Sequence, residues 1–268
     1  MSATDQISQL GATEQGKLGS ALRPTLLFVA AFALNISPHE AAHALAGYVM
    51  GFSSTLFQMW VDPDAASATP LQLAVIATTG PIFSLIMGIV CLLIYGKVYR
   101  TRPSGLFFLM MAMVGIYSFL GPVAGVAFGG DFNIASNFLG APKTILYSVS
   151  AVGFLLLSVF MFFIGRELSQ WAPPDFERAK NVLCTTVAPW LIGTALAVLL
   201  YLPLPQFLVG SAVSGSAFWL VAVIGATFGY SRKRTTHSTA SLTWIDFGLM
   251  IIAVALVRIL AHGVRLSH

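Results

Sequence analysis

Charge is scarce in this chain. Lys, Arg, Asp and Glu make up 9% of its 268 residues, against 57% hydrophobic residues, and the mean hydropathy is +0.83. Soluble domains carry about 25% charged residues. The deficit excludes a soluble globular enzyme and leaves little length for a soluble regulatory domain. The net charge of +4 is small. The basic residues sit in short loops, where membrane orientation accounts for them better than a nucleic-acid surface would. Cysteine is nearly absent too: Cys91 and Cys184 are the only two, each inside an apolar run. That excludes a disulfide framework or a cysteine zinc knuckle and predicts two buried free thiols. Internal repeats and low-complexity tracts are also missing.

Apolar length is what the chain has in quantity. Seven segments, at about 24–50, 71–95, 105–127, 144–165, 182–202, 211–230 and 243–262, are long enough to cross a hydrocarbon core of about 30 Å. The count is six if one late segment is re-entrant. The expected fold is therefore all-α, a polytopic transmembrane helix bundle. The expected divisions are a polar N-terminal tail at 1–23, a transmembrane core at 24–165, a cytoplasmic connector at 166–181 and C-terminal transmembrane helices at 182–268. The tail is expected to be disordered or to lie on the surface. The first apolar run is too long for the core of a signal peptide and is read as a retained span.

Loop charges orient the bundle. Lys17 and Arg23, then Lys97, Arg100 and Arg102, then Arg166, Arg178 and Lys180, then Arg232, Lys233 and Arg234 fall on one side of a seven-span arrangement. Lys143, Arg258 and Arg265 are left for the other. The asymmetry predicts a cytoplasmic N-terminus and puts the end of the first span on the outer side. Just after that span, residues 52–62 are rich in β-formers and predict a short strand or hairpin.

The first span carries His39-Glu40-Ala41-Ala42-His43. Polar and ionisable groups in hydrocarbon are costly, by roughly 2.5–3.5 kcal/mol for a central Asp, Lys or Arg, and three together call for a partner. Residues four apart lie on one helix face, so His39 and His43 can aim ring nitrogens at one ion. Glu40 lies on the flank, in reach of a water on the metal, as a general base rather than a ligand. Two imidazoles and a carboxylate suit Zn2+, with a fourth position left open. The competing reading is a histidine pair hydrogen-bonded between helices, which leaves Glu40 without a partner. Pro38, directly before the motif, predicts either a break at 35–38 or an ordinary membrane-helix proline.

A third ligand is needed, and intramembrane carboxylates are few. Asp131, after Gly129 and Gly130 at the outer end of the third span, lies on the same side as His43 and is the choice by elimination. The lesser alternative is a loop aspartate capping the next helix. Asp246 falls at the wrong end of the last span, and Glu167, Asp175 and Glu177 fall in the connector. His262 and His268 read as interfacial and His237 as solvated.

These residues resemble a known family. His39-Glu-Ala-Ala-His-Ala-Leu-Ala-Gly-Tyr-Val-Met-Gly51 is similar to the metal-binding helix of site-2-protease-type intramembrane metalloproteases, the M50 peptidase group, and particularly to their small bacterial branch. Gly80-Pro-Ile-Phe-Ser-Leu-Ile-Met-Gly88 resembles the family's second signature, and Gly129-Gly-Asp-Phe-Asn-Ile-Ala-Ser-Asn-Phe-Leu-Gly140 its third. The resemblance covers residues 25–145. It implies Zn2+ held by His39, His43 and Asp131, with Glu40 as general base. Gly80, Ser84 and Asn133 are then candidates for contacting substrate or bracing the ligands. It also implies cleavage of transmembrane protein or peptide substrates in a bacterial inner (plasma) membrane. An unwound substrate segment can add to a strand such as 52–62. Two departures stand out: Ser84 replaces the family's usual Asn, and Phe132 follows the aspartate where the family has Gly. The charge rule also puts the site toward the outer face, where well-known members have theirs toward the cytoplasm. A metal-holding scaffold without turnover, or a proton- or cation-coupled transporter, are the alternative functions.

Overall fold

In an apolar surrounding a backbone must satisfy its own polar groups, and the helix does so within one segment. The computed structural model describes residues 3–100, 102–173, 176–203, 216–230 and 242–267, the backbone alone over 3–19. It is mainly helical, with one small sheet. Five helical segments are long and apolar enough to cross a membrane: Ser20–Val49, Pro70–Tyr99, Gly105–Ala124, Lys143–Trp171 and Arg178–Tyr201. These make the chain an integral membrane protein.

The elements run in order as follows. Helix α1 is Ala3–Val49, and strands β1 (Ser53–Leu56) and β2 (Val61–Asp64) form the expected hairpin. Helix α2 is Pro70–Ile94, extended by a π-turn to Tyr99, and α3 is Gly105–Ala124. A short α4, Asp131–Phe138, precedes α5, Lys143–Leu168. Helices α6 (Arg178–Val182) and α7 (Thr194–Tyr201) are joined by π-turns into one rod. Then come α8 (Trp219–Gly229), α9 (Trp244–Leu260) and β3 (Val264–Leu266).

Helix α1 is unbroken through Pro24 and Pro38, so the break considered at 35–38 does not occur. Membrane helices tolerate proline where neighbours pack around the freed carbonyl. Here Asn35 and Ser37, beside Pro38, are fully buried. The polar stretch expected as a tail over 1–23 continues this helix: the backbone is helical from Ala3, and Arg23 is 1% exposed. Helix α2 begins on a capping box, in which Thr69 Oγ1 accepts from the Gln72 amide and Gln72 Oε1 accepts from the Thr69 amide. Pro70 fits the first helical turn because that turn needs no donor.

Contacts between helices fix their directions. His43 meets Ile76 and Gly80 while His39 meets Ser84, so α1 and α2 are antiparallel. Ser150 and Gly153 of α5 lie against Ala124 of α3, and Trp171 lies against Gly105, another antiparallel pair. Phe154 stacks on Phe218, and Gly229 lies against Arg166, so α5 and α8 run the same way. Arg23 pairs with Asp246, Ala30 and Ala33 cluster with Ala253 and Val257, and Ala44 clusters with Leu260. Helices α1 and α9 are therefore parallel along their shared length.

Gly88 and Gly115 allow a close crossing between α2 and α3. A Cβ on either would collide with the other helix's backbone, the small-residue contact that membrane helices use. Cys91 and Cys184 are buried and free, as expected.

The sheet order is β2-β1-β3, all antiparallel. Leu56 faces Val61 on one side and Val264 on the other. The central strand β1 is thus paired along both edges, and only β2 and β3 keep open ones.

At the other end of the length that α1 shares with α9, Arg23 Nε donates to Asp246 Oδ2 at 2.8 Å. The same oxygen accepts from the Thr243 amide at 2.7 Å, capping α9. Both side chains are buried. Arg23→Met leaves Asp246 buried without its cation. Its expected cost is about 3–5 kcal/mol, read as a lower unfolding midpoint in detergent. Arg23→Met together with Asp246→Asn, which keeps the cap, should recover most of the loss.

Candidate metal centre

Three residues named from the sequence converge. His39 Nε2 and His43 Nε2 are 3.2 Å apart. Asp131 Oδ2 is 3.4 Å from the first and 3.8 Å from the second. Ligand atoms about 2.0–2.2 Å from a tetrahedral zinc lie roughly 3.3–3.6 Å from one another, so the triangle has the dimensions of one ion's ligand set. Among the described residues this is the only such group of three or more His, Cys, Asp or Glu side chains.

Proton positions sharpen the point. His43 Nδ1 lies 2.6 Å from the Ile76 carbonyl, which can only accept, so Nδ1 carries the proton. The Gly80 amide, at 3.4 Å from the same nitrogen, is too distant to compete. His39 Nδ1 is 3.0 Å from Ser84 Oγ, whose hydroxyl in turn donates to Asn35 Oδ1 at 3.1 Å. That chain leaves the proton of His39 on Nδ1 as well. Both Nε2 atoms therefore present lone pairs to each other and to a carboxylate. Three electron-rich atoms gathered in an apolar bundle repel unless a cation lies among them. Imidazoles braced through the other nitrogen are the usual arrangement of metal-ligating histidines.

Each ligand is set by its element. His39 and His43 sit one turn apart on α1, both under 8% exposed. Gly80 is required for this: a Cβ there would overlap the His43 ring. Asp131 opens α4 after Gly130, which has φ +85° and so a backbone that suits glycine. Its side chain is 29% exposed, giving the centre an open side. Asn133 forms its hydrogen bonds away from the three. Its Nδ2 donates to the Val126 carbonyl at 2.8 Å and its Oδ1 accepts from Asn137, bracing the loop that presents Asp131. Glu40 follows His39 on α1 and is partly buried.

Two other acidic residues are occupied elsewhere. Asp246 holds Arg23. Glu167 falls inside α5, where it accepts from Arg100 at 2.9 Å and from the Tyr95 hydroxyl at 3.0 Å. Asp175, His237 and His268 lie outside the described residues.

Asn35 was missed in the sequence, although a signal was there: Asn35, His39 and His43 repeat every four residues on one face of α1. The Ile76 carbonyl could not be read from side chains at all. No family model matches the chain, and no solved structure matches it.

Ser84→Ala removes the bridge between Asn35 and His39 and should weaken metal binding about 10–100-fold. Gly80→Ala displaces the His43 ring and should lower metal occupancy further. Both are read by metal analysis of purified protein equilibrated against a competing chelator.

Proposed function

We propose that this chain is an intramembrane metalloprotease of the site-2-protease type, hydrolysing peptide bonds in membrane-protein substrates. The observation that carries the reading is the convergence of two unprotonated imidazole nitrogens and a carboxylate beside Glu40 in a buried part of the bundle. The donor set, two nitrogens and one oxygen with an open side, favours Zn2+ held by His39, His43 and Asp131. When bound there, a zinc ion lowers the pKa of water and polarises a carbonyl.

The protein's own groups supply the rest. Glu40 takes the proton of the attacking water on its carboxylate and returns it to the nitrogen of the leaving amine. Ser84 and the Ile76 carbonyl keep both imidazoles in the tautomer that leaves Nε2 free. Gly80 keeps room for the His43 ring. The close helix packing around His39 and His43 excludes bulk water on the side away from Asp131.

Access favours an extended segment. A cleft of about 860 Å3, lined by residues including Gly121, Phe128, Phe154 and Phe218, reaches Gly129 and Gly130 next to Asp131. Strand addition would use an outer edge of the sheet, not β1, whose edges are both filled. Phe57 donates to the Trp60 carbonyl, and alternation along the ladder then turns Val61 and Pro63 outward on β2. Pro63 has no N–H to offer, so β2 presents Val61 and one further carbonyl.

The alternating helix directions favour seven crossings, with α8 and α9 completing the five longer spans. Helix α9, at 17 residues, measures about 26 Å, close to the hydrocarbon thickness. We place the N-terminal side of α1 in the cytoplasm, in a bacterial inner membrane, on the loop-charge asymmetry.

Glu40→Gln should abolish cleavage of a membrane-protein substrate in proteoliposomes while zinc content stays at the wild-type level. His43→Ala and Asp131→Ala should lose both. Cleavage that survives in Glu40→Gln would sink the mechanism. Turnover absent from wild type across a membrane-protein panel, with zinc bound, would leave the scaffold function. Ion or proton flux surviving His39→Ala would favour the transporter.

A further inference from the structure

Positive charge gathers at the end of the bundle where α5 and α8 finish and α6 begins, away from the metal centre. Arg166 and Arg178 are exposed there and Lys180 is half-buried. None of the three forms an ion pair with a described residue, because Glu167 is taken by Arg100 and Asp246 by Arg23. Glu177, exposed beside Arg178, is the one described carboxylate left at this junction.

The cations are held in place by aromatic rings. The Arg178 guanidinium lies over Tyr230, 5.4 Å from the ring centre, and the Lys180 ammonium lies over Phe176 at 4.2 Å. Phe176 is 4% exposed, and its carbonyl accepts from the Tyr230 hydroxyl at 3.2 Å. One buried residue therefore anchors both heads, the first through its carbonyl and the second through its ring. A ring face attracts a cation without occupying its N–H donors. Arg166 belongs to the same junction: Gly229, next to Tyr230, lies so close to the Arg166 backbone that a Cβ would collide with it.

Apolar surface lies just inside this charge. Phe163, one turn before Arg166, is 56% exposed, and Phe228, two residues before Tyr230, is 72% exposed. Cationic donors at the end of the bundle with bare aromatic rings one turn deeper match an amphiphile with an anionic head. An acidic protein or a nucleic acid would use the charges alone and leave the rings bare. Membrane proteins use such basic clusters at helix ends to hold anionic lipid heads.

We infer that the junction of α5, α6 and α8 binds an anionic phospholipid, with Arg166, Arg178 and Lys180 holding its phosphate and Phe163 and Phe228 lying against its acyl chains. The lipid ties the rod formed by α6 and α7 to α5 and α8. The site is independent of the metal centre and of any catalysis there.

Full-length protein in detergent is titrated with phosphatidylglycerol, with phosphatidylcholine of the same acyl chains, and with inorganic phosphate. Lipid binding is read by native mass spectrometry, and the unfolding midpoint is read for all three. Phosphatidylglycerol should bind at least tenfold more tightly than phosphatidylcholine and raise the midpoint, whereas inorganic phosphate should leave it unchanged. Arg166→Gln, Arg178→Gln and Lys180→Gln should each weaken phosphatidylglycerol about fivefold, the share of one cation near an anionic surface. Tyr230→Leu keeps the charge but removes the ring under Arg178 and should weaken it about threefold, while Tyr230→Phe, which keeps the ring, should retain most of the binding. Lys143→Gln, at the other end of α5, should have no effect. The lipid-free midpoint reports whether each variant is folded. Equal binding of the two lipids, no response to the three charge changes, or a loss in Lys143→Gln equal to theirs would overturn the site and leave only diffuse charge attraction. A midpoint raised by inorganic phosphate as much as by phosphatidylglycerol would overturn the lipid as its occupant.

Discussion

The arrangement depends on which nitrogen of each histidine carries its proton. Helix α2 decides this for both. It places a backbone carbonyl against His43 Nδ1 and a serine hydroxyl against His39 Nδ1, and so turns two lone pairs inward. Without α2 at this distance, the imidazoles would be free to find donors and acceptors elsewhere and would have no common focus. The distance is set by small side chains: Gly80 under the His43 ring, Ser84 at the level of His39, and Gly88 where α3 crosses. These three are spaced four residues apart on one face of α2, so a single stripe serves both neighbouring helices. Polar satisfaction and close packing are here the same requirement, because in hydrocarbon a histidine nitrogen has no water to fall back on.

Much of this was legible in the sequence, for identifiable reasons. Apolar runs long enough to cross a bilayer fix the helical class almost alone. The four-residue spacing of His39 and His43 fixes their shared face. Asp131 followed from scarcity, since few carboxylates were available on the correct side. The β-rich stretch after the first span gave the hairpin. What remained hidden involves contacts that one segment's pattern does not carry. The third strand, Val264–Leu266, is only three residues long and has meaning only beside β1. The partner of Arg23 lies 223 residues away. Asp246 looked misplaced for a metal ligand, and it is placed for Arg23. Pro38 left a break and an ordinary membrane-helix proline both open, and in the fold the helix continues through it.

Ser84 shows how a departure from a family pattern takes on another meaning in three dimensions. As a sequence feature it suggests a weakened contact to substrate. In the fold its hydroxyl both accepts from His39 and donates to Asn35. A hydroxyl is suited to this relay because one atom can do both. An amide at this position would have to divide those tasks between its oxygen and its nitrogen.

The parallel packing of α1 and α9 bears on the later part of the chain, which carries no chemical motif. Helix α9 grips α1 through the Arg23–Asp246 pair at one end and through Leu260 and strand β3 at the other. The helix bearing His39 and His43 is therefore held like a rail in two brackets, and the second bracket is the β1–β3 pairing beside the hairpin. Anything attached beyond Leu266, whether an affinity tag, a reporter or a fusion partner, starts at the sheet that borders the site. Strand β3 is thus an intimate neighbour of the histidine-bearing helix, and a change made there also reaches the candidate centre.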